Sequence, residues 1–351
     1  MKPSEASSPL GRAMRQALRA VVRTPAPLAH QLFGEPPRND RGAPLDLQCH
    51  VLLRMMAATN SPRLEELGAI EAREVYRRAN QTFDLAPGTR CVVENHKVPG
   101  PAGELSARIY RPRSGTLPAL VFYHGGGFVV GCLESYDGFC RAFAERADCS
   151  VISIDYRLAP EAPFPAAVED SVAAFGWVIK HAVELELDAS RIAVGGDSAG
   201  ANLAAVVCQQ MLANGQPTPA HQLLIYPKTD QTTRYPSRDL FAEGFYLTGP
   251  LVDWFTQCYL GDSHDPDCRH SPALFDDLES LPPTTVVTAG FDPLRDDGEA
   301  YAGCLRTAGV PVVEQRFDQL VHGFISMGGI IAAAAWAVAD IAEEFGRVLR
   351  A

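Results

Sequence analysis

A serine hydroxyl is a useful nucleophile at neutral pH only when a base takes its proton and a third group orients that base. One stretch of the 351-residue chain is built for this, Gly196-Asp197-Ser198-Ala199-Gly200. It follows the apolar run Arg191-Ile192-Ala193-Val194-Gly195 and leads into residues 201–208, which read as a helix. Strand, Gly-x-Ser-x-Gly and helix together make the context of a nucleophile elbow. Small residues two positions either side of the serine let neighbouring backbone pass closely. The sharp turn holds the serine in a strained conformation and lifts its hydroxyl clear of the sheet. The first free amides of the helix then point at whatever the serine attacks. Taken alone, the pentapeptide also reads as a plain strand–helix turn with a capping serine.

The base and its orienting acid are sought on loops that follow parallel strands, where working residues of such sheets sit. Asp292 follows the apolar run 285–289, and His322 follows the strand-like run 312–317 in Val321-His322-Gly323-Phe324. His322 is the only histidine after Asp292. Asp296 and Asp297 compete for the acid's role but fall inside the next helix. Asp292 also reads as a helix cap before Pro293, and His322 as a loop residue capping the last helix. A developing oxyanion needs donors, and His124-Gly125-Gly126-Gly127-Phe128 lies straight after the run 119–123. The amides of Gly125 and Gly126, with that of Ala199, would make a three-donor hole.

Other polar residues near these motifs read as structural. His124 precedes the donors and reads as a brace for their loop. Asp155, Arg157 and Glu161 read as a buried ion-pair brace beneath it, and Asp197 as a polar anchor behind Ser198. Phe128, Tyr226, Trp254 and Phe255 are candidates to line an acyl or alcohol pocket, and each reads equally as core packing.

The elements that must position these residues follow a rhythm of short apolar runs and helices. That rhythm implies an α/β fold with a mostly parallel central sheet and helices on both faces. A hairpin formed by 91–96 and 105–110 around Pro99-Gly100-Pro101-Ala102-Gly103 makes the sheet mixed. Helices are expected near 46–80, 136–146, 165–181 and 330–349. Residues 1–85 read as an N-terminal extension and helical cap, and 86–351 as the catalytic domain, with 230–281 adding to the cap. Arg12, Arg15, Arg19 and Arg23 alternate with Leu10, Met14, Leu18, Val21 and Val22. This amphipathic pattern reads as an accessory helix on its own protein or as a surface-docking helix. A Pro-rich stretch, 24–44, follows it.

Composition narrows the function classes. A net charge of −11 argues against nucleic acid or anionic membrane as the main partner. Nine scattered cysteines with no C-x-x-C suggest reduced thiols in a cytoplasmic compartment, without a disulfide framework or metal site. No apolar run approaches a membrane span, so stable insertion is not expected.

His124-Gly125-Gly126-Gly127, Gly196-Asp197-Ser198-Ala199-Gly200, Asp292-Pro293-Leu294-Arg295-Asp296 and His322-Gly323-Phe324 resemble the hormone-sensitive lipase family of bacterial α/β-hydrolase esterases. Asp155-Tyr156-Arg157-Leu158-Ala159-Pro160-Glu161 fits the same resemblance, which runs from about residue 46 to the C-terminus. It implies an α/β-hydrolase fold with a helical cap. Ser198 would be nucleophile, His322 base and acid, Asp292 the orienting carboxylate, and Gly125, Gly126 and Ala199 the oxyanion hole. The implied substrate is a small-molecule ester of short to medium chain, with no cofactor. A homodimer through the edge strand 312–317 is also implied.

Two features depart from the family. Ala201 stands where the family usually has a second glycine, and residues 1–45 extend beyond its shorter members. Two other function classes compete. One is a non-catalytic small-ligand receptor on the same fold, like the plant gibberellin receptors, which lack the working histidine that His322 would supply here. The other is an NAD(P)-dependent oxidoreductase. Gly125-x-Gly127-x-x-x-Gly131 and Asp155 mimic a dinucleotide fingerprint, with a last spacing one residue too long and Phe128 in the turn.

Overall fold

In a computed structural model, which describes residues 9–59, 61–85, 90–262 and 265–350, the apolar runs form one eight-stranded sheet. Its strands are β1 (Val92–Gly100), β2 (Gly103–Arg111), β3 (Leu117–Tyr123), β4 (Ser150–Asp155), β5 (Leu187–Asp197), β6 (Gln222–Ile225), β7 (Thr284–Phe291) and β8 (Val312–Val321). The order is β1-β2-β4-β3-β5-β6-β7-β8. The first hairpin pairs antiparallel with register Gly100 to Gly103, and β2 pairs antiparallel with β4. All remaining pairs are parallel. Every residue of β3 and β7 is buried, as strands covered on both faces must be.

Side-chain alternation along each strand feeds two cores. Ala119, Val121 and Tyr123 of β3 face one core, with α6 (Ala166–Lys180) and α7 (Ala199–Ala213). Leu120 and Phe122 face the other, with α5 (Asp137–Ala147) and α11 (Ala332–Arg350). α10 (Arg295–Thr307) completes the cover of the first core.

The close approach that the elbow needs falls at Gly200. A Cβ there would overlap the carbonyl oxygen of Tyr123 on β3. Ala201 is fully buried in the core beside it, so the departure at that position is absorbed by packing. Gly200→Ala should therefore lower stability by roughly 3 kcal/mol, read as a drop in the midpoint of thermal unfolding.

The N-terminal region holds α1 (Pro9–Val22), α2 (Ala26–Phe33), α3 (Leu47–Ala58) and α4 (Ala69–Phe83). The helix expected over 46–80 is thus two helices. Pro62 removes a backbone donor between them, and the link carries a short turn at Leu64–Glu66. Asp46 caps α3 by accepting from the Cys49 amide at 3.0 Å. The Pro-rich stretch contains α2, with Pro25 at its N-cap and Pro27 in its first turn, where proline is tolerated.

Arg15 and Arg19 of α1 turn toward the protein. Arg15 donates to the carbonyls of Gln81 and Asp84, and Arg19 donates to that of Gly329. The side chains of Leu10 and Arg12 lie outside the described residues. The region between β6 and β7 adds α8 (Ser237–Leu240) and α9 (Gly249–Leu260). No helix among the described residues is long and apolar enough to cross a membrane.

Candidate active site

β5 ends at Asp197 and α7 begins at Ala199, leaving Ser198 at the junction with φ 55° and ψ −117°. A non-glycine residue rarely adopts that positive φ, and strain of this kind persists only where surrounding structure dictates it. Here the strand, the helix and a hydrogen bond from the Ser198 amide to the Ile225 carbonyl (2.9 Å) hold it.

His322 follows β8 and Asp292 follows β7, adjacent strands that bring the two side chains together. His322 Nδ1 lies 2.8 Å from Asp292 Oδ2, and Nε2 lies 2.9 Å from Ser198 Oγ. Asp292 is fully buried, and its second oxygen accepts from the Leu294 amide at 2.8 Å. With the proton on Nδ1 donated to the carboxylate, Nε2 is left to accept from the serine hydroxyl.

The competing acids are engaged elsewhere. Asp296 accepts from the Ser237 amide and from Arg295 Nε. Asp297 accepts from Lys228 Nζ (3.1 Å) and the Thr229 amide (3.1 Å).

The loop after β3 presents its amides unevenly. Gly125 N–H donates to Asp197 Oδ1 at 2.7 Å, so it faces into the protein. This corrects the expectation that Gly125 is a substrate-facing donor. The buried carboxylate behind the serine captures the first amide of the loop. The amides of Gly126 and Gly127 have no protein acceptor among the described residues. Gly126, Gly127 and Ala199 all line the cavity above Ser198. Gly126 and Gly127 adopt φ of 115° and 59°. A Cβ on either would overlap the Val130 carbonyl or the Phe255 ring, so only glycine fits.

Asp197 also accepts from the hydroxyls of Tyr136 and Tyr226, both at 3.2 Å. Burial pushes its carboxyl up to about 6 despite these donors. His124 is fully buried, stacks on Tyr156 with centroids 4.4 Å apart, and donates from Nδ1 to its neighbour's carbonyl at 2.8 Å. Burial pushes its imidazole down to about 4, so it stays neutral at ordinary pH.

A sequence model of the α/β-hydrolase fold matches residues 120–326. The chain belongs to the α/β-hydrolase family. Within it the hydrolase is of the hormone-sensitive lipase type. The carboxylic ester hydrolase LipN of Mycobacterium tuberculosis is 49% identical over 292 residues, covering 80% of this chain and 77% of that protein. Ethyl acetate hydrolase of Pseudomonas putida is 35% identical over 301 residues, covering 82% and 94%. The solved structure of a hyperthermophilic esterase from the archaeon Pyrobaculum calidifontis superposes with a TM-score of 0.83 at 38% identity, covering 88% of this chain and all of that one.

Above Ser198 and His322 the hydrolase holds a cavity of about 540 Å³ with a largely apolar lining. Phe128 and Phe255 are among its lining residues, and Tyr226 and Trp254 are not. Tyr226 is fully buried behind the catalytic face, bonded to Asp197, with its ring 4.5 Å from that of His322. On α9 the lining residues Leu251, Val252, Phe255 and Tyr259 share one helical face, which carries Trp254 away from the cavity. Trp254 packs on Phe255 at 5.3 Å instead.

Sequence reasoning did not name the lining face of α4, formed by Val75, Tyr76, Ala79 and Phe83. Their helical spacing was the available signal. The expected ion-pair brace is also different. Arg157 pairs bidentately with Asp170, and Glu161 pairs with Arg73. Asp155 joins neither, and burial pushes it up to about 6.

The glycines of the dinucleotide-like spacing serve this loop. A Cβ on Gly131 would overlap the His124 imidazole, so that residue packs behind the glycine turn.

Proposed function

We propose that this carboxylic-ester hydrolase works through a covalent acyl-enzyme on Ser198 and takes small-molecule esters of short to medium chain. Ser198 Oγ attacks the ester carbonyl as His322 Nε2 takes its proton. The carbonyl oxygen becomes an oxyanion held by the amides of Gly126, Gly127 and Ala199. His322 gives the proton to the departing alcohol oxygen, which leaves the acyl group on Ser198. Water then attacks the acyl carbon as His322 takes its proton, the bond to Ser198 Oγ breaks to release the acid, and His322 returns the proton to Oγ. Asp292 keeps the imidazole in the required tautomer and stabilises the imidazolium.

The observation that carries this reading is the hydrogen-bonded chain Ser198–His322–Asp292, at 2.9 and 2.8 Å, on the floor of an apolar cavity. Three residues whose amides have no protein acceptor among the described residues, Gly126, Gly127 and Ala199, line the same cavity. The relatives named as ester hydrolases support it.

A volume of about 540 Å³ is that of a pocket for one small ligand. Hydrolysis of a p-nitrophenyl ester series from acetate to palmitate, with wild type beside Ser198→Ala, tests both halves. Activity should peak at short to medium chains and vanish in the variant. A peak at palmitate would contradict the substrate range, and equal activity in the variant would contradict the nucleophile. Ala79→Phe fills part of the α4 wall, so kcat/KM for the longest accepted ester should fall about tenfold or more while acetate changes little.

A further inference from the structure

The loop bearing the Gly126 and Gly127 amides is held at both ends by one helix that also roofs the cavity. At the downstream end, Arg73 on α4 donates from Nε to the Val129 carbonyl and from Nη2 to the Ala159 carbonyl, both at 2.8 Å. The Val129 and Val130 amides return to the Gly126 carbonyl at 3.0 and 2.9 Å, and the Ala159 amide donates to the Phe128 carbonyl at 2.8 Å. The guanidinium thus grips the turn that closes on Gly126.

At the upstream end the grip comes from Tyr76, one helical turn further along the same face. Its hydroxyl lies 3.0 Å from that of Tyr136, which donates to Asp197, and Asp197 accepts the Gly125 amide. Between these anchors lie three residues with positive φ, Gly126, Gly127 and the non-glycine Phe128. Such a conformation has to be imposed by its surroundings.

We propose that Arg73 is a positioning residue for the reaction. Through it α4 aims the amides of Gly126 and Gly127, so the cavity roof takes part in transition-state stabilisation as well as in substrate fit. The proposal rests on the reading of those two amides as oxyanion donors. The planar fork of the guanidinium suits two carbonyls in fixed directions, which a lysine ammonium cannot match. Arg73 also pairs with Glu161, whose side chain is 54% exposed. A pair that exposed contributes little, so the carbonyl contacts carry the effect.

The test compares Arg73→Lys, Arg73→Met and Glu161→Gln for kcat and KM on a p-nitrophenyl ester. It also compares inhibition by a trifluoromethyl ketone with inhibition by the matching methyl ketone. Ser198 Oγ adds to the activated ketone carbon, its proton passes to His322, and the ketone oxygen becomes an oxyanion in the hole. The methyl ketone binds without that adduct.

Displaced donors should lower kcat about tenfold or more in both Arg73 variants, with KM within about threefold. Trifluoromethyl ketone affinity should fall by a similar factor, and methyl ketone affinity should hold. Glu161→Gln should stay within about threefold of wild type. Arg73→Lys keeps the charge and much of the stem, so it gives an answer even if Arg73→Met folds poorly.

Wild-type kcat in Arg73→Lys would overturn the proposal. So would an equal loss of methyl ketone affinity, or a Glu161→Gln defect as large as that of Arg73→Met. Failure of the underlying reading looks different, because wild type itself would then form no ketone adduct.

Discussion

Ser198→Ala and His322→Ala should each lower kcat by about four to six decades, with KM changed far less. The serine variant has no atom to carry the acyl group. The histidine variant leaves the hydroxyl protonated and the leaving alcohol without an acid. Because the two side chains act as one unit, 2.9 Å apart, the double variant should be little worse than either single one. On the proposed mechanism the residual rate should come from the amides of Gly126, Gly127 and Ala199, which would still polarise a bound ester toward attack by water. Steady-state kinetics on p-nitrophenyl butyrate with the three variants measures this. Additive losses in the double variant would mean that the two residues do not share a step.

Asp292→Asn should lower kcat by about three to four decades while the fold is retained. The asparagine keeps the volume of a fully buried side chain. It offers an amide where His322 Nδ1 needs an acceptor, so the ring is driven into the tautomer that cannot accept from Ser198. Asp296→Asn is the control. Its carboxylate serves the Ser237 amide and Arg295, outside hydrogen-bond reach of His322, so kcat should stay within about tenfold of wild type. A fully active Asp292→Asn beside a crippled Asp296→Asn would reverse the assignment of the acid.

The residues that come together in space were legible where local chain and chain order decide their place. Ser198 sits in a strand–turn–helix whose context is contiguous, and the glycines either side of it answer to close approaches, Gly196 and Gly200 each against the Tyr123 carbonyl of β3. Asp292 and His322 were legible because each follows a strand, and those strands are neighbours.

The direction of the Gly125 amide was not legible. Three glycines in a row offer three amides, and a carboxylate from 72 residues further on captures the first. Tyr226 and Trp254 failed as pocket residues for a related reason. Aromatic character is common to core and pocket, and only tertiary packing separates Phe255 from its neighbour Trp254. The α4 wall was readable as a helical face, but nothing local says that this face meets the cavity rather than the sheet. The break between α3 and α4 was marked by Pro62, and α2 by prolines that a helix tolerates in its first turn. Both need the positional meaning of proline rather than its count.

The central claim is that the ester's acyl group passes through Ser198. Rapid-quench intact-protein mass spectrometry during turnover of p-nitrophenyl acetate, followed by peptide mapping, addresses it most directly. The expected result is one added acetyl group per chain, mapped to the peptide holding Ser198 and absent in Ser198→Ala. It should accumulate further in a variant with slowed deacylation. Turnover at the wild-type rate with no acylated protein at any quench time, or an acetyl group mapped to another residue, would contradict it.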